Sequence, residues 1–305
     1  MSAVFDCRPP PELARDEPDA HLALGQRAAC SLWWGRTPEH DGHRVGAIGH
    51  FRAGDADSGA ILLAAACARL AAHGCRLAVG PMDGNTWRAY RAVIERGEEP
   101  PFFLEPDTPA HWPECFERAG FTTAATYCSR LQEHARFEDR GLPLIERRAA
   151  QAGIRVRHLD LAHAERDLCD MHEIALAAFT GAFLFSPIGR DEFLAQYARV
   201  LPHVQPELVL IAERSGTPLA FAFATPDAFG AASGATAILK TVATRPGFAH
   251  AGLGHMLVAR CARAAAALGY RRAVHALMHE TNGSSAWSGR YGRVFRRYAL
   301  FGRRL

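Results

Sequence analysis

Two segments of the chain share one pattern. Gly59 to Met82, GAILLAAACARLAAHGCRLAVGPM, and Gly254 to Met278, GHMLVARCARAAAALGYRRAVHALM, each run from a glycine through fourteen helix-forming residues to a second glycine, then into an Arg-containing strand. At a constant offset of 195 residues, Gly59, Leu62, Ala64, Ala71, Gly74, Arg76, Ala78 and Val79 recur as Gly254, Leu257, Ala259, Ala266, Gly269, Arg271, Ala273 and Val274. Alanine richness accounts for Ala64 and Ala71, but not for the glycine spacing or the strand that follows. Each copy then meets an Asn-containing turn ahead of a Trp, DGNTW from Asp83 and TNGSSAW from Thr281. A helical period that gives way to a strand at the same place in two copies predicts two related α/β units. With 305 residues and 49% hydrophobic side chains, the chain has enough apolar surface for two cores.

Amphipathic spacing and alternation predict, in the second half, a strand over 154–158, helices over 163–180 and 190–200, and strands over 207–214, 217–224 and 236–244. A helix over 252–268, a strand over 271–278, a short helix over 283–290 and a strand over 293–301 follow, with a hairpin turn at Ser215 to Pro218. The first half has strands near 29–35, 44–51 and 122–131 around the shared helix and strand. Residues 1–24, rich in Pro and Asp, read as an arm; 25–140 as the first unit; 141–153, after a charged stretch with Gly and Pro, as a linker; and 154–305 as the second unit.

A formal charge of +3 pushes the chain toward neither nucleic acid nor a membrane surface. No stretch approaches a membrane span, and the first twenty residues lack the apolar core of a signal peptide, so the expected location is cytoplasmic. The eight cysteines never form Cys-x-x-Cys and several lie in apolar helix or strand patterns, which favours buried thiols over disulfides or a zinc site.

The most informative loop is RPGFAHAGLG, Arg245 to Gly254, which passes from a strand into a helix. Its backbone N–H groups lie on the positive end of a helix dipole, and Gly252 and Gly254 remove side chains where a phosphate would sit. Together with KTVATRPGFAHAGLGHMLVARCARAAAALGY and ALMHETN, and with the order of elements over 152–305, this loop resembles the Gcn5-related N-acetyltransferase (GNAT) family. The resemblance implies an α/β (α+β) fold of two tandem GNAT-like units, each a mixed, mostly antiparallel sheet flanked by helices. It implies an acetyl-CoA or other acyl-CoA cofactor, an amine or peptide acceptor, and a monomer (a pseudo-dimer of its two units) or a homodimer. Residue by residue, Val242, Ala243 and Thr244 fall where the family pairs its backbone with the pantetheine arm. Ala249, His250, Ala251, Gly252, Leu253 and Gly254 fall on the pyrophosphate loop, and Asn282, with Ser285, falls near the cofactor. Three positions depart from the family: Ala249 replaces its usual Arg or Gln, Ser288 or Gly289 stands where a general-acid Tyr is frequent, and Ile238 to Lys240 offer no carboxylate on the strand before the loop.

The first copy is an internal control. At the same offset the loop reads Gly54, Asp55, Ala56, Asp57, Ser58, Gly59, and Asp55 and Asp57 point negative charge where a pyrophosphate would lie. Phe116 in FERAGF stands where the family's Tyr would be, so the first unit resembles a GNAT fold that keeps the architecture without the cofactor site; the resemblance implies that it walls the acceptor cleft of the second, the alternative being a role in stability alone.

Transfer of an acyl group to an amine needs one group to take a proton and another to return one. The strand HALMHE places His275, Leu277 and His279 on one face with Glu280 just past its end, so His279 and Glu280 are candidates; the alternative is surface or packed polar groups. His275 and His279 on a strand lie about 13 Å apart and cannot chelate one metal ion. Tyr298 in the last strand is the alternative acid, or a half-buried strand tyrosine. Glu213 and Asp227 are either amine contacts or solvated carboxylates. Arg290, Arg293, Arg296, Arg297, Arg303 and Arg304 suit either a nucleic-acid face, an acidic ligand, or the alternation of a last strand, which is the simplest account. Three functions follow: a CoA-dependent N-acyltransferase, a non-catalytic acyl-CoA or ligand-binding module, and an interaction role for the basic tail.

Overall fold

The repeated glycine spacing is that of two helices stopped in the same way. In the computed structural model, which describes residues 4–134, 141–230, 236–247, 251–283 and 288–305, Gly74 and Gly269 have φ of +80° and +89° just beyond the two long helices. The N–H of Cys75 donates to the Leu70 carbonyl at 3.1 Å and that of Tyr270 to Ala265 at 2.9 Å, a left-handed cap that only glycine adopts without cost.

The first half runs β1 (Phe5–Asp6), α1 (Pro11–Ala14), β2 (Ala20–Leu24), β3 (Ala28–Trp33), β4 (Glu39–His40), β5 (His43–Ala53), α2 (Ala56–Ala72), β6 (Leu77–Gly80), β7 (Ala92–Glu95), α3 (Trp112–Arg118) and β8 (Thr122–Gln132). The second runs α4 (Leu142–Gln151), β9 (Ile154–His158), α5 (Ala164–Phe179), α6 (Arg190–Ala198), β10 (Val209–Arg214), β11 (Thr217–Pro226), β12 (Thr236–Thr244), α7 (Leu253–Ala267), β13 (Arg272–His279) and β14 (Arg293–Arg304). The two predicted long helices, the strands of both units and the Ser215–Gly216 hairpin turn are all present, the latter with φ of +51° and +80°. Residues 20–24, read as part of an arm, are instead an inner strand paired with β3, because Leu22, Ala23 and Leu24 supply buried apolar surface. The connection over 141–153 carries helix α4, whose Leu142 and Ala149 pack on α7. The expected helix over 283–290 falls mostly outside the described residues.

The strands form one sheet in the order β1-β2-β3-β5-β6-β14-β8-β13-β12-β11-β10-β9. The sheet is antiparallel except where β5 meets β6 and β12 meets β13. The two halves exchange their last strands: β14 pairs with β6 of the first half, and β8 pairs with β13 of the second, while β8 and β14 pair with each other. In the second half Leu210, Ala212, Ala220 and Ala222 point toward α4 and α7, and Val209, Ile211, Phe221 and Phe223 toward α5 and α6, so alternate residues bury opposite faces. In the first half Leu62, Leu63, Ala66 and Leu70 of α2 pack on β2, β3 and α3. A Cβ on Gly59 would lie 2.5 Å from the Cys115 sulfur, which is why α2 needs glycine where α3 crosses it. The described cysteines are free and most are buried. Among the described residues no helix is long and apolar enough to cross a membrane, and no cluster of His, Cys, Asp and Glu is arranged to hold a metal ion.

Candidate functional site

The parallel pair β12 and β13 is joined only from Thr236↔Arg272 to Leu239↔His275. Beyond that point β12 stays paired with β11 through Thr244 and β13 with β8 through His279, and the two strands part. Both carry an irregularity at the parting. Lys240 is an extra residue in β12 opposite Phe223 and Ala224. In β13 the register with β8 slips between His275 and Met278, and Leu277 takes a left-handed φ of +59°, a strain that persists only where surrounding structure enforces it.

The gap opens onto a cleft of about 1600 Å³. Its floor is Lys240, Thr241, Val242 and Thr244 on one side and Ala276 to His279 on the other, with Ala251, Gly252, Gly254 and His255 at its end. The segment after α5, Thr180 to Phe185, forms one wall. The first half forms another through Glu39, His40, Thr86 to Arg91, Leu104 to Pro106 and Tyr127. Trp87 ties that wall down, donating from its indole to the Ser186 carbonyl at 2.7 Å, and Arg88 pairs with Glu192 at 2.7 Å.

Gly252 is the N-cap of α7 with φ +87°, no side chain caps the helix, and its first turn carries no acid. A Cβ on Gly252 would lie 3.1 Å from Ile145 of α4, and one on Gly254 3.3 Å from the Thr244 hydroxyl oxygen at the cleft, so the first glycine admits α4 and the second keeps the cleft end clear. The first N–H groups of α7 have no partner within the helix and carry its positive dipole end. Of the residues expected to contact a cofactor, Val242, Thr244, Ala251, Gly252, Gly254 and Asn282 line the cleft. Ala243 and Leu253 are buried, as the alternation of β12 and the inner face of α7 require. Ala249, His250 and Ser285 lie outside the described residues.

The expected catalytic residues separate. His279 lines the cleft; its Nδ1 accepts from the Thr281 N–H at 3.3 Å, and its ring meets Tyr127 edge-on at 5.0 Å. Burial, with Arg91 nearby, holds its pKa below the usual histidine value, against the opposing pull of Glu280. A neutral ring accepting at Nδ1 carries its proton on Nε2. Glu280 is not part of the cleft lining: it binds Arg297 at 2.9 Å, which keeps its carboxyl ionised below the usual range despite partial burial. Tyr298 is fully buried and its hydroxyl donates to Glu105 and lies 3.1 Å from Ser129, so it sits in the core, with burial pushing its pKa up. The strand exchange explains the displacement. With β8 between β13 and β14, Tyr127 pairs with both His279 and Tyr298, and it is Tyr127 that stands beside His279 at the cleft.

His275 is buried, 2.9 Å from the Ser288 hydroxyl and 3.2 Å from Gln132, and burial with Arg130 lowers its pKa to about 4. Glu213 is held by Arg157 at 2.9 Å, and Asp227 accepts from the Phe103 N–H at 2.9 Å; neither reaches the cleft. Of the C-terminal arginines, Arg296 pairs with Glu105 and both side chains are fully buried. Arg293 pairs with Glu99 and Glu133, Arg297 with Glu95, and Arg303 donates to the Ala119 carbonyl. The last strand expected from the alternation is present as β14, and the side chain of its Arg296 is enclosed.

Besides Tyr127, the sequence pattern assigned no role to two basic residues of the cleft, Arg91 and Lys240. Arg91, 5% exposed, lies in the corner of two rings that meet at 87°, its guanidinium carbon 3.8 Å from the Tyr90 centroid and 3.9 Å from that of Tyr127. From there it donates to the Leu277 carbonyl at 3.0 Å. Lys240 reaches the Leu104 carbonyl at 3.3 Å. A compositional signal for it exists: of the 35 basic residues, Lys240 is the single lysine.

Residues 168–286 match the model of the acetyltransferase (GNAT) family. A GCN5-related glucosamine N-acetyltransferase region of a fungal multi-domain GH3 β-N-acetylglucosaminidase aligns with 99% of the chain at 11% identity and a TM-score of 0.56, and the chain spans 38% of that protein's length. A GCN5-related N-acetyltransferase from Sphaerobacter thermophilus aligns with 96% of the chain and 84% of its own at 14% identity and a TM-score of 0.53. A tandem GNAT protein from the clavulanic acid biosynthesis pathway aligns over 97% and 88% at 12% identity and a TM-score of 0.49. No curated protein sequence matches significantly. At these identities the structural likeness is one of fold, and it extends over both halves of the sheet. The parted strands, the glycine cradle and the match to the acetyltransferase (GNAT) family model coincide on one stretch, residues 168–286.

Proposed function

We propose that the chain is a CoA-dependent N-acyltransferase, with the second half holding an acyl-CoA and the first half walling the acceptor. The observation that carries this reading is the parting of β12 and β13 beside the uncapped N-terminus of α7. The residues fit the group: Gly254 keeps a side chain away from the cleft beside the helix N–H donors, Gly252 starts the helix at the same place, and Val242 and Thr244 line the gap. A bound acyl-CoA supplies the activated thioester. The chain's own residues orient the acceptor in the cleft, and His279 and Tyr127 hold protons there: His279 as Nε2–H, Tyr127 as a phenol that burial and Tyr90 keep protonated. Isothermal titration with acetyl-CoA tests the reading, and absence of binding heat overturns it. Thiol release over a panel of amines then tests catalysis. The displacement of Glu280 and Tyr298 from the cleft favours the second reading, a non-catalytic acyl-CoA binder, and binding without thiol release from any amine selects it.

A further inference from the structure

Four basic side chains line the cleft among the described residues, and they fall into two pairs. Arg88 and Arg245 are each within ion-pair distance of a carboxylate, Glu192 at 2.7 Å and Glu173 at 3.0 Å. Arg91 and Lys240 have no such partner among the described residues; each donates instead to a backbone carbonyl. The acid nearest them in the cleft, Glu105, is already engaged: it accepts from Arg296 at 2.8 Å, from the Phe102 N–H at 3.1 Å, and from Tyr298. Glu39, the other lining carboxylate, is solvent-exposed. Two enclosed cations without an anion are costly, because each has lost water and gained only a neutral acceptor.

Their position gives the cost a use. Lys240 is the bulged residue of β12 at the parting of the strands, and Arg91 is fixed to Leu277, the strained residue of β13 on the opposite lip. Both therefore stand where the reactive end of a ligand in the gap would meet its acceptor. On the reading of the previous section, we infer that the acceptor is an amine that also carries an anionic group, carboxylate or phosphate, bound between Arg91 and Lys240. Arg91 supplies donors in fixed planar geometry, held by the aromatic corner of Tyr90 and Tyr127.

A lysine suits the second position. Enclosure, with Arg91 nearby and only partly offset by Glu105, lowers the Lys240 pKa to about 7, so in the empty cleft it can give up its proton, as an arginine cannot. Arg91, Glu105, Tyr127, His255, His275 and His279 share the cleft with it. An arriving anion restores the proton, so binding is coupled to proton uptake.

The test uses the full chain and matched acceptors: α- and ω-amino carboxylates against their amides, and aminoethyl phosphate against ethanolamine. Thiol release from acetyl-CoA is expected to favour the anionic member of a pair at least tenfold in kcat/KM, and the favoured pair distinguishes carboxylate from phosphate. Titration of that acceptor at pH 8, in buffers of different ionisation enthalpy, should show uptake of on the order of one proton. Lys240→Met should abolish both the preference and the uptake while acetyl-CoA affinity stays within twofold. Arg91→Gln should remove the preference; since Arg91 is buried, the wild-type comparison and Lys240→Met stand without it. Equal turnover of charged and neutral members overturns the inference, as does failure of every anionic member to bind or react while acetyl-CoA binds. Absence of acetyl-CoA binding overturns the acyltransferase reading instead, and the anion preference is then read from acceptor binding alone.

Discussion

The two halves solve the same strand junction in opposite ways. Register pairs Gly46 with Ala78 in the first half and Ala237 with Ala273 in the second, so Gly49 stands where Lys240 stands. After that point the second half opens. The first half closes: the Met82 N–H donates to the Ile48 carbonyl at 2.8 Å and the His50 N–H to the Asp83 carboxylate at 2.6 Å. A side chain on Gly49 would overlap the Met82 carbonyl, so the glycine that permits closure occupies the place of the lysine that lines the cleft. At the helix the contrast repeats. Asp55 caps α2 by accepting from the Ser58 N–H at 2.7 Å, filling with its own carboxylate the position that α7 leaves to a ligand. One architecture thus serves as a site or as a wall, according to whether its anion and its strand contacts are internal.

The comparison breaks most readily at the loop. Copying the first half's charge with Gly252→Asp would confound the result, because φ at Gly252 is +87° and Ile145 crowds its Cβ position. Ala251 is exposed, so Ala251→Asp should weaken acetyl-CoA binding about 10- to 100-fold by repulsion from the pyrophosphate, with the melting temperature unchanged. Titration calorimetry and thermal denaturation check the two halves of that statement. Asp83→Ala opens the closed junction. It strands the His50 N–H and should cost about 1–3 kcal/mol of stability, read from denaturant unfolding, while acetyl-CoA affinity stays constant. A drop in affinity would show that the wall and the site are not separable.

Lys240→Met makes the open junction apolar like the closed one. Since the folded-state pKa of Lys240 is lowered to about 7 from 10.5, the unfolded chain binds more protons between those values, and wild-type stability rises through that window. The variant should therefore be more stable than wild type below pH 7, with the gain shrinking toward pH 10.5. A gain independent of pH would assign it to packing alone. Smallest is Asp55→Ala, which removes the α2 cap at a cost of about 1 kcal/mol, measured by denaturant unfolding.

What was legible in the sequence was local. The helix from glycine to glycine, the strand after it, and the loop at Gly252 follow from contacts within a few residues, so the repeat and the glycine loop could be read in advance. The cleft wall from the first half was not legible, because it is built by pairings across more than a hundred residues. The last strand and its alternating arginines were legible, but its neighbours were not: β8 lies between β13 and β14, burying Tyr298 and Arg296 and bringing Tyr127 to the cleft. Arg91 acts at Leu277 from the other half of the chain. Lys240 carried a signal in composition rather than in motif, as the single lysine in an arginine-rich chain.

The exchange of β8 and β14 also sets the order in which the chain can be finished. β6 and β8, both in place by residue 132, lack the strand that joins them until Arg293–Arg304 is made, so this part of the first half's sheet waits on a strand from the second half. Neither half is a module that can be cut out or traded by itself. A frameshift or cleavage near residue 292 would leave strand edges open in the middle of the sheet, at Leu77–Gly80 and Thr122–Gln132 of the first half, far along the chain from the damage.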